Sequence, residues 1–337
     1  SGNYSDSAGD IWIFVKKGGR KLKVLISLGK SFYQAFPDLG DWLREEGIQV
    51  TEQVSADQEP SREQRKSLLR DVQIYIVGVD RVDEEIMDAA PDLKLIIKPG
   101  AGYDNIDLEA AKKRGIAVTY AKGENAQSVA ELTMGLILAA CRGIARGDRE
   151  VHNQVWNLFM GCELSGKNLG LIGYGNIGRR VAKIARGFGM KVYACDPWVS
   201  GEELKREEVY PADFETLLET ADFLSLHIPV TETTRHLINE EAFQRMKTSA
   251  YLINTARGEL VDEAALKKAL KEGQIRGAAV DVFQKEPPDP SLALLKEAVF
   301  TPHLGACTVD SARRLSFISF ENVMNFINQR PLKNRLV

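Results

Sequence analysis

The sequence predicts an α/β protein with two parallel sheets, each covered by helices. Short β-branched runs alternate with amphipathic segments along most of the chain, which is typical of strand–helix–strand units. The 337 residues, 44% of them hydrophobic, are enough for two domains with separate cores. A long apolar helix predicted at 125–146 separates two series of strands, so we expect it to connect two α/β domains.

The predicted strands fall into a series of four and a series of six. The first lies at 23–27, 74–78, 93–98 and 116–120, and the second at 168–172, 191–195, 223–227, 250–254, 277–280 and 299–301. A last helix is predicted over 310–328. No strand pattern follows it, so we expect no third domain.

Composition and charge argue against several classes of protein. Lys and Arg number 44 against 47 Asp and Glu, and no long basic run is present, so we expect no nucleic-acid partner. No apolar stretch approaches the ~20 residues of a membrane span, and the first residues are polar, so we expect a cytoplasmic protein with no membrane partner. The cysteines lie far apart without a C-x-x-C pair, which predicts reduced thiols and no metal site; they are Cys141, Cys162, Cys195 and Cys307.

A glycine motif, G-x-G-x-x-G, follows the first strand of the second series. Gly173, Gly175 and Gly178 open a predicted helix, and the next strand ends in Asp196. The three glycines would allow a tight turn, close approach of a pyrophosphate and close helix packing, while Asp196 would bind a ribose and repel a 2′-phosphate. A close-packed turn without a ligand is the alternative. The context favours a dinucleotide site, with NAD preferred over NADP.

A nicotinamide enzyme that oxidises an alcohol needs a base for the hydroxyl proton, and histidine is the usual one. His152 and His236 lie in polar stretches, which predicts that both are exposed to solvent. His227 and His303 each follow a predicted strand, at the edge where open α/β sheets bind ligands. Either of these two, taken alone, is as compatible with ordering a loop as with catalysis.

Charged neighbours favour His303. Arg257 follows another predicted strand, and its guanidinium could hold a substrate carboxylate at two points. Glu286 follows the next strand and could pair with His303, fixing the tautomer of the ring. For Arg257 or Glu286 considered alone, the alternative is an ordinary surface ion pair.

With these residues in place, the chain resembles the NAD-dependent D-2-hydroxyacid dehydrogenases. Seven motifs carry the resemblance in the family's order: GAGYDNIDLEAAKKRGIAV, NAQSVAEL, ELSGKNLGLIGYGNIG, DFLSLHIPVTETTRHLIN, LINTARGELVDEAAL, AAVDVFQKEP and TPHLGA. The resemblance implies a Rossmann-like NAD-binding domain at 123–304, inserted in a flavodoxin-like substrate domain formed by 1–122 and 305–337. It also implies an active site in the cleft between the two domains.

The resemblance assigns roles by motif position. It makes Arg257 the substrate-binding arginine, Glu286 the carboxylate and His303 the acid/base, and it places His227 near the cofactor. The implied cofactor-binding residues are Gly173, Gly175, Asn176, Ile177, Gly178, Asp196, Ile228, Pro229, Thr255, Ala256 and Asp281. The implied substrate residues are Lys98, Gly100, Ala101, Gly102 and Arg257, since backbone N–H groups of a glycine loop can cradle a carboxylate.

Several alternatives stay open within this resemblance. The motifs look most like those of phosphoglycerate dehydrogenases, without the C-terminal regulatory domain that many of these carry, and Arg62, Arg65 and Lys66 form the nearest basic cluster for a phosphate. Glyoxylate or hydroxypyruvate reductases and D-lactate dehydrogenases share the other motifs. From a different class, the C-terminal binding proteins, which are NAD-responsive co-repressors, keep the same three site residues. The resemblance also implies a homodimer to which 125–159 contributes.

Overall fold

The computed structural model describes residues 21–55 and 60–337. It separates into two compact units, one running to Asn125 and joined by Ala306–Val337, the other formed by Ala126–Gly305. Both are α/β units with parallel sheets, which confirms the predicted fold class.

The first unit contains a five-stranded parallel sheet in the order β2-β1-β3-β4-β5. Reversal of strand order between β1 and β3 is typical of a flavodoxin-like sheet. The strands are β1 Lys23–Gly29, β2 Gln49–Ser55, β3 Ile74–Val77, β4 Leu95–Lys98 and β5 Ala117–Tyr120. The helices are Lys30–Ala35, Asp38–Glu45, Arg62–Leu69, Glu84–Asp88, Leu108–Lys113 and Val309–Ile327.

The second unit contains a seven-stranded sheet in the order β12-β11-β10-β9-β6-β7-β8, also parallel throughout. This is the Rossmann order with one added edge strand. The strands are β6 Asn168–Ile172, β7 Lys191–Cys195, β8 Tyr210–Pro211, β9 Phe223–Leu226, β10 Tyr251–Asn254, β11 Gly277–Val280 and β12 Ala298–Phe300. The helices are Ala126–Cys141, Ile144–His152, Asn176–Gly187, Gly201–Arg206, Phe214–Thr220, Glu240–Arg245 and Glu263–Lys271, with 3₁₀ turns at Gly258–Leu260 and Pro290–Leu294.

Alternation along each strand produces an apolar layer on both faces of each sheet. In β10, Leu252 packs into one layer of the second unit while Tyr251 and Ile253 pack into the other. In the first unit, Ile74 and Ile76 pack on one face of β3 and Tyr75 on the other. Strands buried on both faces explain why β-branched and apolar runs marked them in the sequence.

Two strands and one helix differ from the sequence predictions. β2 was not predicted because its sequence, QVTEQVS, alternates apolar and polar residues at the sheet edge. β8 is an edge bridge of two residues. The helix predicted over 125–146 ends at Cys141, and a second begins at Ile144, because Gly143 has a left-handed φ of 63° and a Cβ there would lie 2.6 Å from the Phe159 ring.

In the described ranges, no single helix is both long and apolar enough to cross a membrane. Helices Ala126–Cys141 and Ile144–His152 are long and apolar enough only when taken together, and they are bent by 63° relative to each other. None of the four cysteines forms a disulfide within residues 21–55 and 60–337.

Candidate functional site

The glycine loop of the second unit joins β6 to helix Asn176–Gly187. Gly173 has φ 97°, and a Cβ there would lie 2.5 Å from the His227 carbonyl oxygen. A Cβ at Gly178 would lie 2.4 Å from the Gly173 carbonyl oxygen. Nothing lies within 4 Å of a Cβ built on Gly175, which precedes the helix without a side-chain cap. Two glycines are therefore required by packing, and the third leaves open space before uncapped helical N–H groups.

Asp196 holds this loop in place. Its carboxylate accepts the Tyr174 N–H at 2.7 Å through Oδ2 and the Trp198 N–H at 2.8 Å through Oδ1. The side chain is half-buried at the carboxyl end of β7. Each carboxylate oxygen has more than one lone pair, so acceptor capacity for ribose hydroxyls remains.

The other predicted cofactor residues near the glycine loop differ in their exposure to solvent. Asn176 is exposed at the first helical position and Ile177 is half-buried beside it. The Ile228 methyl group would lie 2.7 Å from a Cβ on Gly173, so Ile228 lies directly against the turn, and Pro229 follows it at the surface.

Two predicted cofactor residues at the end of β10 are differently placed. The Thr255 hydroxyl is hydrogen-bonded at 3.0 Å to the hydroxyl of Thr133 on helix Ala126–Cys141, and both residues are buried. Ala256 is half-buried, and its N–H donates to the Asn254 side chain at 3.1 Å. The side chain of Thr255 is therefore used within the fold.

Asp281 positions the loop that carries His303. Its buried Oδ1 accepts from the Thr301 hydroxyl at 2.5 Å and the Leu304 N–H at 2.7 Å, and Oδ2 accepts from the Gly305 N–H at 2.8 Å. The sequence predicted a cofactor contact for Asp281. In the structure, its carboxylate is bound by residues on both sides of His303.

His303 and Glu286 form a direct pair. Nδ1 of His303 lies 3.0 Å from both carboxylate oxygens of Glu286. His303 has a left-handed φ of 55°, an uncommon conformation for a non-glycine residue. Both side chains are about half exposed, at 49% and 40%.

Electrostatics keep Glu286 ionised. Partial burial raises the pKa of its carboxyl group, but the hydrogen bond and charge of His303, the Phe283 N–H and the Arg257 charge outweigh burial and hold the pKa below its usual range. Glu286 is therefore an anionic hydrogen-bond partner of the His303 ring.

Arg257 lies in the loop after β10. The buried Asn254 side chain holds this loop, accepting from the Ala256 N–H and donating to the Arg257 carbonyl oxygen at 2.8 Å. A Cβ on Gly258 would lie 2.0 Å from the Phe283 carbonyl carbon, so the Arg257 and Glu286 loops touch through backbone. The second unit thus brings Arg257, Glu286 and His303 to neighbouring strand ends.

The predicted substrate loop belongs to the first unit. The Gly100 N–H donates to the Lys98 carbonyl oxygen at 2.8 Å, and the Gly100 carbonyl accepts from the Ala121 N–H at 3.0 Å. The N–H groups of Ala101 and Gly102 donate to no residue in the described part of the chain. The Lys98 ammonium donates to the Gly78 carbonyl oxygen. Hydrogen bonds therefore fix the loop at Gly100, and the N–H groups of the next two residues are the donors that could bind a carboxylate.

The remaining histidines are accounted for by local contacts. Burial lowers the pKa of His227 to about 3, and its Nε2 lies 2.9 Å from the buried Ser225 hydroxyl. His152 is exposed, and its Nδ1 lies 3.0 Å from the Asp148 carbonyl oxygen. His236 lies 3.1 Å from the Gln284 amide. Within the described residues, none of these three histidines is hydrogen-bonded to Glu286, whereas His303 is.

The basic cluster of the first unit is largely neutralised. Arg62 contacts Asp83 at 2.7 Å and Glu85 at 2.6 Å. Lys66 pairs with Glu63 at 2.8 Å and also with Glu85. This arrangement does not favour these cations as phosphate ligands.

Comparison with known proteins decides the family. Residues 134–305, about half of the chain, match the model of the D-isomer specific 2-hydroxyacid dehydrogenase NAD-binding domain. A glyoxylate reductase of Thermofilum pendens is 41% identical over 300 residues, covering 86% of this chain and 88% of that protein. This chain belongs to the D-2-hydroxyacid dehydrogenase family.

Two further family members differ in length and in known ligands. A D-3-phosphoglycerate dehydrogenase of Archaeoglobus fulgidus is 40% identical over 302 residues, and the match covers 87% of this chain but only 56% of that protein. A D-lactate dehydrogenase of Aquifex aeolicus, solved with NAD and lactic acid, superposes with a TM-score of 0.79 at 32% identity, covering 91% of this chain and 96% of that one.

The second unit of this D-2-hydroxyacid dehydrogenase fits NAD chemically. The open space at Gly175 and the uncapped helix can take a pyrophosphate, and the Asp196 carboxylate offers acceptors for a ribose. Sequence reasoning missed two residues that organise the site: Asn254, and Asp281 in its loop-holding role. A buried Asn or Asp at a strand end was the available signal.

Proposed function

We propose that this family member reduces a small 2-keto acid to a D-2-hydroxy acid with NADH, and catalyses the reverse oxidation with NAD. The observation that carries the proposal is the His303–Glu286 pair at 3.0 Å beside Arg257, in the unit matched by the family's NAD-binding domain. Carbonyl reduction needs a proton donor and a group that polarises the carbonyl, and an imidazole with a carboxylate partner beside a guanidinium can supply both.

Each residue has a definite task in this proposal. Arg257 binds the substrate carboxylate and polarises the neighbouring carbonyl. NADH, when bound, supplies the hydride that forms the new C–H bond at C2. His303 Nε2 gives its proton to the carbonyl oxygen, and Glu286 stabilises the imidazolium before transfer. Ala101 and Gly102 N–H groups, with Lys98, are proposed to cradle the carboxylate from the first unit.

The proposed substrate is a 2-keto acid, and an experiment must decide which one. The similarity to a glyoxylate reductase and the ion-paired state of Arg62 and Lys66 support an unphosphorylated acid. Phosphohydroxypyruvate is the second candidate, supported by the phosphoglycerate dehydrogenase relative. The test is NADH oxidation by the purified protein with phosphohydroxypyruvate, hydroxypyruvate, glyoxylate, pyruvate and 2-ketoglutarate. Turnover with any of them supports the proposal, and turnover with none refutes it.

We also propose a homodimer in the cytoplasm. Trp156, Leu158 and Met160 follow helix Ile144–His152, and each is 82–88% exposed. Several large exposed apolar side chains within five residues of sequence support a protein interface. A second copy is the proposed partner, and light scattering at micromolar concentration tests it. Cell fractionation tests the location.

A further inference from the structure

Trp198 places a large aromatic side chain in solvent, two residues after Asp196. It is 92% exposed. By contrast, Trp42 in the first unit packs edge-on against Phe36 and Phe320 at 5.1 and 5.7 Å between ring centroids. An exposed indole offers an aromatic face to a ligand.

The backbone that carries Trp198 is fixed by hydrogen bonds. Its N–H donates to Asp196 Oδ1 at 2.8 Å, and the Val199 N–H donates to the Asp196 carbonyl at 3.4 Å. Ser200 then caps helix Gly201–Arg206 by accepting the Glu203 N–H at 3.2 Å. The turn is therefore tied at both ends, and the indole projects from an ordered backbone.

One carboxylate links this turn to the glycine loop. Oδ2 of Asp196 holds the Tyr174 N–H at 2.7 Å, while Oδ1 of the same group holds the Trp198 N–H. The side chain that is proposed to bind the adenosine ribose therefore joins the glycine loop to the backbone of Trp198. The base of a bound adenosine is attached to that ribose.

We infer that Trp198 stacks on the adenine ring of the bound dinucleotide. The inference rests on the proposed NAD site and adds a residue to it. An indole offers the largest aromatic face among side chains, and stacking between a base and an aromatic ring needs no particular hydrogen-bond pattern. Trp198 contributes affinity for the adenosine half only and takes no part in hydride or proton transfer.

Calorimetry with ADP-ribose, the cofactor without its nicotinamide, tests the inference directly. Trp198→Ala should raise the Kd of ADP-ribose about tenfold, and Trp198→Phe only about twofold, because the smaller ring still stacks. The KM for NADH should rise about tenfold in Trp198→Ala, with kcat at saturating NADH within about twofold of wild type. Quenching of tryptophan fluorescence by ADP-ribose should be lost in Trp198→Phe.

Leu294→Ala is the matched control, since Leu294 is an apolar side chain of the same unit that is 77% exposed. Its ADP-ribose affinity should equal that of wild type. If Trp198→Ala binds ADP-ribose with the Kd of wild type, the inference is overturned. If that variant also changes its oligomeric state, the indole belongs to a subunit contact instead. Failure of wild-type protein to bind ADP-ribose or NADH refutes the proposed function instead. The exposed position makes unfolding by these substitutions unexpected, and an unchanged urea midpoint checks it.

Discussion

The backbone N–H of His303 donates to the carbonyl oxygen of Asp281 at 2.8 Å, while the Asp281 carboxylate holds Leu304 and Gly305. The proposed acid/base is thus held from the adjacent strand end, in an uncommon left-handed backbone conformation. The loop around it is held by a buried carboxylate that directly follows β11, and its Nδ1 pairs with an exposed carboxylate, Glu286.

Removing the proposed proton donor tests its role. His303→Ala should lower kcat by roughly 10²- to 10⁴-fold and leave the Kd of NADH within about twofold, because only proton transfer is lost. Steady-state kinetics and calorimetry give the two values. His152→Ala, which changes an exposed histidine of the same unit, is the control and should keep full turnover. Full turnover in His303→Ala would assign proton transfer to another group.

Neutralising Glu286 should change the pH dependence of keto-acid reduction. Glu286 has a lowered pKa and stays anionic at neutral pH, so it favours the protonated imidazole that reduction consumes. In Glu286→Gln the alkaline decline of kcat should begin at lower pH, while Glu286→Asp should keep more of the wild-type profile. The measurement is kcat against pH at saturating NADH. An unshifted profile in Glu286→Gln would contradict the pairing.

Asp281→Asn tests whether the carboxylate that follows β11 positions His303. An amide keeps one acceptor but turns an NH₂ group toward N–H donors, so at least one buried hydrogen bond is lost, at about 1–3 kcal/mol. We expect a lower unfolding midpoint and a fall in kcat larger than any change in the KM of the keto acid. Calorimetry and steady-state kinetics measure both effects. A changed midpoint with unchanged kcat would limit Asp281 to a structural role.

Cofactor selectivity tests Asp196. Asp196→Ser removes the negative charge and one carboxylate acceptor, so it should weaken NADH binding and improve NADPH binding. Because Asp196 also holds Tyr174 and Trp198, Asp196→Asn serves as the matched variant that removes charge and keeps one oxygen. The ratio of kcat/KM for the two cofactors is the readout. An unchanged ratio in both variants would show that Asp196 does not face the ribose.

Acid stability tests the burial of His227. Its pKa is lowered from 6.5 to about 3 in the folded chain, so the unfolded chain binds more protons between those values. Stability should therefore fall as pH decreases from about 6.5 toward 3. His227→Gln should reduce this slope in urea midpoints measured at pH 7 and pH 5. Equal slopes in both proteins would mean that His227 is not held neutral.

The parts of the fold that follow from local pattern were predictable. Core strands such as β10 are buried on both faces and appear as apolar runs, and the motif spacing located Gly173 and Gly178. The edge strand β2 was missed because one polar alternation is compatible with several structures. The break at Gly143 was missed because the sequence does not show that Phe159 returns to pack there.

The site was predictable where charged residues follow strands. Arg257, Glu286 and His303 were proposed from their positions, and the structure places the last two 3.0 Å apart. The loop-holding contacts of Asn254 and Asp281 were not predictable, because they depend on which neighbouring loops pack together. Tertiary packing, which local propensity does not encode, decides such contacts.

We propose that a D-2-hydroxy acid forms from NADH and a keto acid at the site of Arg257, Glu286 and His303. The most direct measurement is one reaction with NADH deuterated at the transferred position, with the preferred keto acid as substrate and chiral analysis of the product. We predict deuterium at C2 of the D isomer with wild-type protein, and formation of the same labelled product roughly 10²- to 10⁴-fold more slowly with His303→Ala. An L product, or an unlabelled C2, would contradict it.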